Sequence, residues 1–180
     1  MKKMNNKGFS LVELIIVIAI MAILAGAIAP ALITYIDKSR KSNDVSSGKT
    51  IKTAIESAMS DEDIYAYLTS GTDTAPVTIT IQPGQPTSEN DNTDPDAEDT
   101  GAIQIAGATV PNDAPADVDA QAKTEIGTNI GEKTPKIKYK KDGANAFKAT
   151  ISKKGTITVY ATDGSEDWEL CPTVSKKYSK

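Results

Sequence analysis

Glu13 is the residue whose position most needs a chemical reason. In the stretch KGFSLVELIIVIAI, Lys7 to Ile20, it is the only charged side chain between Phe9 and Ile36. Two chemistries suit it. Ser10-Leu11-Val12-Glu13 has the capping-box pattern, in which Ser10 caps a helix and Glu13, at the third helical position, reaches back to the Ser10 N–H. In the second, the carboxylate lies inside an apolar layer. A lone carboxylate there costs about 2.5–3.5 kcal/mol on insertion scales and needs a cation. The run supplies none, but a cut just before Phe9 would create a free α-amino group that could.

No other constellation of residues suggests catalysis. The chain has no histidine, one cysteine and no nucleotide-binding glycine pattern. Nucleophile–base pairs and metal-assisted hydrolysis therefore lack their usual parts, and no catalytic residue or cofactor is expected. Cys171 cannot form an internal disulfide and reads as a small buried apolar residue. The acidic residues Asp91, Asp94 and Asp96 raise the question of calcium. An EF-hand loop needs glycine at its sixth position, and none of the three aspartates is followed by one. The expectation is a solvated acidic loop with no metal. The formal net charge is −4, and without the first eight residues the remainder has 17 basic and 24 acidic residues. An acidic body argues against a nucleic-acid partner, which requires a basic stripe.

The element that must position Glu13 is a long apolar helix. Leu14 to Ile36 is 23 residues without a charge. At ~1.5 Å per residue it spans roughly 35 Å, enough to cross a hydrocarbon core of ~30 Å. It is too long for the apolar region of a cleaved secretory signal, and Pro30 directly follows the small-residue site at Ala27 and Ala29. A core helix of a small domain would not be apolar on every face. Membrane insertion follows. Lys2, Lys3 and Lys7 precede the run, and Lys38, Arg40 and Lys41 follow it, so the positive-inside count is tied. An inside N-terminus would export the rest of the chain. Gly26 and Pro30 mark a helix break, either a simple kink or a segment able to melt and extend, because Pro30 has no N–H for the Gly26 carbonyl.

Taken together, Lys7-Gly8 and Phe9-Ser10-Leu11-Val12-Glu13-Leu14 resemble the class III signal of type IV prepilins. The leader is short, basic and ends in glycine; the first mature residue is phenylalanine and the fifth is glutamate. The resemblance covers roughly residues 1 to 40, including Pro30 where pilins commonly carry a proline. It implies removal of leader residues 1–8 by a membrane prepilin peptidase cutting between Gly8 and Phe9, and N-methylation of Phe9. It also implies pairing of Glu13 with the Phe9 amine of a neighbouring subunit, which would give the carboxylate its cation. Residues 9–36 would span the cytoplasmic membrane and then form a filament core. Many pilins staple their C-terminal region with a disulfide, and the lone Cys171 departs from that. Disulfide-free members occur among Gram-positive, clostridial-type bacteria.

The remaining chain reads as the other half of that fold. Residues 37–59 continue the helix in amphipathic form, with Ile51, Ala54, Ile55 and Ala58 on one stripe and Val45 nearby. Residues 60–180 form a globular head. Ser60-Asp61-Glu62-Asp63 opens a second helix, carrying Ile64, Tyr65 and Leu68 and stopping at Gly71. Val77–Ile81 alternates as a strand, and Ala102–Val110 is a weaker one. Residues 82–100, rich in Pro, Asp, Asn and Thr, form an exposed mobile acidic loop. Asp113–Ile126 is a short helix. A meander over 136–170 has strands at Ile137–Tyr139, Phe147–Ile151, Thr156–Tyr160 and Trp168–Leu170, with turns at Asp142-Gly143, Lys154-Gly155 and Asp163-Gly164. The predicted class is α+β: a long N-terminal helix packed on an antiparallel sheet of about four strands, the pilin fold.

Charge divides this head. Ser60 to Ile126 holds fourteen acids and one base, whereas Gly127 onward holds eleven bases and six acids. In a polymer of identical subunits, complementary patches could help to set the stacking. The expected function is a structural pilus subunit, polymerising with itself with the help of an assembly platform and an ATPase, for adhesion, surface motility or biofilm formation. The alternative is a pseudopilin of a type II secretion or competence machine. A membrane-anchored enzyme is the reading that the missing catalytic residues disfavour.

Overall fold

A computed structural model describes residues 9–87, 102–140 and 142–179. The leader and the acidic part of the 82–100 loop, including Gly8, Asp91, Asp94 and Asp96, lie outside the described residues. By its internal contacts the chain divides into two units, one ending at Ser39 and the other beginning at Arg40. The first helix, α1 (Leu11–Ala58), runs through that boundary.

In the second unit, the half of α1 from Arg40 onward buries one stripe. Ile51, Ala54, Ile55 and Ala58 are buried, as their spacing predicts. The same stripe extends back through Gly48 and Asp44, also buried. Gly48 has a packing reason: a Cβ placed there would stand 3.0 Å from the Leu170 Cβ, so a larger residue would press helix and sheet apart by a few tenths of an ångström. Asp61 then caps α2 (Glu62–Leu68), its Oδ1 accepting the N–H groups of Asp63 and Ile64 at 3.0 and 3.1 Å. This helix ends at Leu68 with Thr69 as its cap, short of Gly71. It buries Ile64, Tyr67 and Leu68, leaving Tyr65 partly exposed.

Among the described residues one antiparallel sheet has five strands, one more than expected. They are β1 (Val77–Ile81), β2 (Ile103–Ala106), β3 (Ala146–Ile151), β4 (Ile157–Thr162) and β5 (Asp167–Cys171), in the order β2-β1-β3-β4-β5. Register places Ile79 beside Ala149 and Ala149 beside Val159; in the next row Ile81, Phe147, Ala161 and Trp168 succeed one another. All of these are buried. Their alternation with Thr78, Thr80, Lys148 and Thr158 gives the sheet one apolar face, which joins the Ile51–Ala58 stripe in a single core. The β3–β4 turn contains Gly155 at φ +76°, a left-handed conformation that side chains disfavour. The β4–β5 turn is closed by Asp163, whose Oδ1 accepts from the Ser165 and Glu166 N–H groups at 2.8 and 2.7 Å.

Three expectations need correction. Helix α3 spans Val118–Ile130, later than Asp113–Ile126. Turns begun by Pro111 and Pro115, with Ala114 and Val118 donating to their carbonyls, take up the intervening residues. Gln82–Thr87 does not open a free loop. Gly84 and Thr87 donate to the carbonyls of Thr134 and Glu132 at 3.1 Å, and Thr134 donates to Gln85 at 2.9 Å. Ile137–Tyr139 is not a strand of the sheet, although its alternate residues are buried. Short α4 (Lys176–Ser179), which nothing in the pattern announced, buries Tyr178. Cys171 is free and buried in β5, as its type suggests.

Candidate assembly site

The first turn of α1 carries the chemistry that the sequence singles out. Leu11 is its first residue, which makes Ser10 the cap and Glu13 the third helical position. The Ser10 N–H donates to Glu13 Oε2 at 2.9 Å, and Leu14 N–H donates to the Ser10 carbonyl at 3.3 Å. The carboxylate thus takes up a backbone donor that helix geometry leaves unpaired. Phe9, one residue before the cap, is 91% exposed. One turn therefore brings Phe9 and Glu13 to the same helix end.

Beyond this turn, α1 is an apolar rod. Its most apolar 18-residue window has mean hydropathy 2.9, and none of it is buried. Leu14, Ile18, Ile23, Ile28 and Ile33 all expose more than half of their surface. So much uncovered apolar side chain requires a partner phase, lipid or other copies of itself. α1 is continuous through Gly26 and Pro30. A proline deletes one hydrogen bond, and the regular turns on both sides hold the register. The Thr34 hydroxyl adds a bond by donating to the Pro30 carbonyl at 3.1 Å.

The head contains a buried carboxylate that apolar periodicity does not pick out. Asp44, fully buried, accepts the N–H of Lys138 on Oδ1 at 2.7 Å and that of Tyr139 on Oδ2 at 2.9 Å. These bonds explain why Ile137–Tyr139 is extended without joining the sheet: a carboxylate on α1 takes the place of a neighbouring strand. The signal was available, because Asp44 lies seven residues before Ile51 and so on the same face. Around it, Tyr139 and Tyr178 meet edge to face at 5.8 Å, and Lys41 Nζ stands 4.6 Å from the centre of the Tyr139 ring. Lys41 also donates to the Lys177 carbonyl at 2.6 Å.

Burial raises the Asp44 pKa above its ordinary value of 3.8, and the two backbone donors with nearby Lys138 oppose this only in part. A carboxyl whose native pKa is raised stabilises the fold most fully below its unfolded pKa. That contribution is lost as pH rises through the native value. The stability advantage of the natural chain over Asp44→Asn, which cannot titrate, should therefore shrink on going from pH 3 towards neutrality. Parallel urea titrations of the two chains across that range would measure it.

Among the described residues, no three Cys, Asp or Glu side chains gather as a cation site. Comparison with known proteins bears on the α1 turn first: residues 3–29 match the family described as "Prokaryotic N-terminal methylation motif". The similarity extends far beyond that segment. The "Type IV major alpha-pilin" of Moraxella bovis is 36% identical over 157 residues, 79% of this chain and 90% of the relative. The chain belongs to the type IV pilins. The pilin is also 39% identical to the "Type IV major pilin protein PilA" of Myxococcus xanthus over 62 residues, 34% of this chain and 28% of that one. With the "Type IV major fimbrial protein FimA" of Dichelobacter nodosus it shares 42% over 59 residues, 33% of this chain and 38% of the relative. No solved structure matches. The long helix on an antiparallel sheet agrees with the pilin fold, and the pilin is a structural subunit of a pilus.

Proposed function

We propose that this pilin is made as a membrane-anchored precursor, cut between Gly8 and Phe9, methylated at Phe9, and assembled through its apolar helix into a surface filament. The exposed apolar length of α1, in a chain whose other unit is well packed, supports this reading: such a helix suits first lipid and then a core of its own copies. A prepilin peptidase would make the cut at the cytoplasmic face, and an assembly platform with its ATPase would lift the subunit from the membrane. In the filament, Glu13 would exchange its Ser10 contact for the Phe9 amine of a neighbour. Gly26 and Pro30 would be the place where a crowded α1 extends. The filament would serve adhesion, surface motility or biofilm formation, with no catalysis and no nucleic-acid partner.

Mass spectrometry of filaments sheared from the cell surface tests this. The expected dominant protein begins at N-methylated Phe9. A processed chain confined to the membrane fraction would instead favour a pseudopilin. A chain still beginning at Met1 would overturn the proposal.

A further inference from the structure

Two oppositely charged surfaces of the head sit at different heights along the α1 half that supports it. The first is a ridge. Ile137 and Tyr139 are buried, whereas Lys136, Lys138 and Lys140 are exposed at alternate positions, roughly 7 Å apart along an extended chain. The Lys138 and Tyr139 N–H groups end on Asp44, so this row is fixed to the helix without needing a strand beside it. Among the described residues, none of the three lysines forms an ion pair. The second surface is an open groove of about 640 Å³ where the end of α1 meets α2 and α3, lined by Ala58, Ile64, Thr124 and the carboxylates of Asp61, Asp117 and Glu125. Among the described residues, no basic one lines it. Asp44 and Ala58 are fourteen residues apart on one helix, which separates the ridge anchor from the groove by about 21 Å along its axis.

We propose that the lysine ridge of one pilin docks on the acidic groove of the next copy along the filament. The inference rests on the pilus-subunit reading. A filament generated by one repeated screw operation keeps every subunit's helix pointing the same way. Docking of ridge on groove would set the Asp44 level of one head against the Ala58 level of the next, a step of about 21 Å along the helix direction. The two surfaces differ, so the contact is heterologous and repeats without closing, as a filament requires. Opposite charges in this arrangement favour one stacking register, and a slipped register would set like charges against each other. The Asp44 clamp gives the ridge its fixed direction.

Charge reversal tests this in full-length chains expressed in cells lacking their own copy. One variant carries Lys136→Glu, Lys138→Glu and Lys140→Glu; a second carries Asp117→Lys and Glu125→Lys; a third carries all five changes. Sheared filament protein, relative to processed subunit in the membrane, should fall about tenfold in each of the first two and recover to within about twofold of the natural chain in the third. Normal assembly of the first two, or failure of the third alongside them, would overturn the docking while leaving the pilin assignment intact. Filaments missing even from the natural chain would instead strike at the pilus-subunit reading. If a reversed chain does not accumulate in the membrane, Lys138→Cys with Glu125→Cys gives the answer. Oxidised filaments of this double variant should yield a covalent ladder of subunits that neither single variant gives. The ridge anchor and the groove lie about 21 Å apart along α1, beyond the span of a disulfide, so absence of the ladder also overturns the docking.

Discussion

Asp44→Ala should destabilise the head by roughly 2–6 kcal/mol. The carboxylate is buried and takes up two backbone donors, at 2.7 and 2.9 Å. Truncation would leave both N–H groups without their acceptor, that of Tyr139 buried and that of Lys138 part-buried, at about 1–3 kcal/mol each. A domain with a total stability of ~5–15 kcal/mol would then approach its unfolding threshold. The loss would spread, because Ile137 and Tyr139 enter the core only while their backbone is held. Asp44→Asn should be milder. It keeps the shape and one acceptor oxygen, but turns an amide N–H₂ towards the other donor. Trp168 is the single tryptophan and is buried on β5, so its fluorescence reports urea unfolding of the detergent-solubilised full chain. An unfolding midpoint for Asp44→Ala equal to that of the natural chain would show that the clamp contributes nothing.

Asp44 also marks the limit of what the sequence discloses about this fold. Periodicity reads apolar letters. It therefore found Ile51, Ala54, Ile55 and Ala58, and it found β1, β3, β4 and β5 to within about two residues. A carboxylate in the same stripe reads by default as a solvated face, and nothing local announces that its acceptors are needed 94 residues later, at Lys138. The reverse error occurred at Ile137–Tyr139. Alternating burial there matches that of a strand, but alternation records which side chains face the core and says nothing of where the N–H groups go. The helix near Asp113 shifted because prolines at 111 and 115 started turns that propensity does not rank. At the N-terminus the reading was more complete, since a capping box is a local device whose donor and acceptor lie within one turn. At Pro30 one lost bond is a local deficit, and the 48-residue helix runs on through it.

Glu13→Gln should abolish filaments as completely as Glu13→Ala, and this comparison separates the two roles of the carboxylate. Glutamine still offers an oxygen to the Ser10 N–H and completes a capping box as well as glutamate does. It cannot pair ionically with a methylated amine. If the observed bond from Ser10, at 2.9 Å, were the whole purpose of Glu13, the glutamine chain would assemble normally and only alanine would fail, by losing a cap worth about 1 kcal/mol. If the Phe9 amine of a neighbour is the partner, both variants should lose sheared filament protein by a factor of ten or more, on the order of the 1.4 kcal/mol that a tenfold change represents. The direction of the membrane effect sharpens the test. Removing this charge should not hinder insertion, because a carboxylate drawn into the apolar layer costs about 2.5–3.5 kcal/mol when unpaired and one at its edge costs less. The processed chain should therefore be at least as abundant in the membrane for both variants. Loss of filaments with an undiminished membrane pool places the requirement for Glu13 at the step where subunits meet, and near-normal filaments from Glu13→Gln would assign it to the cap alone.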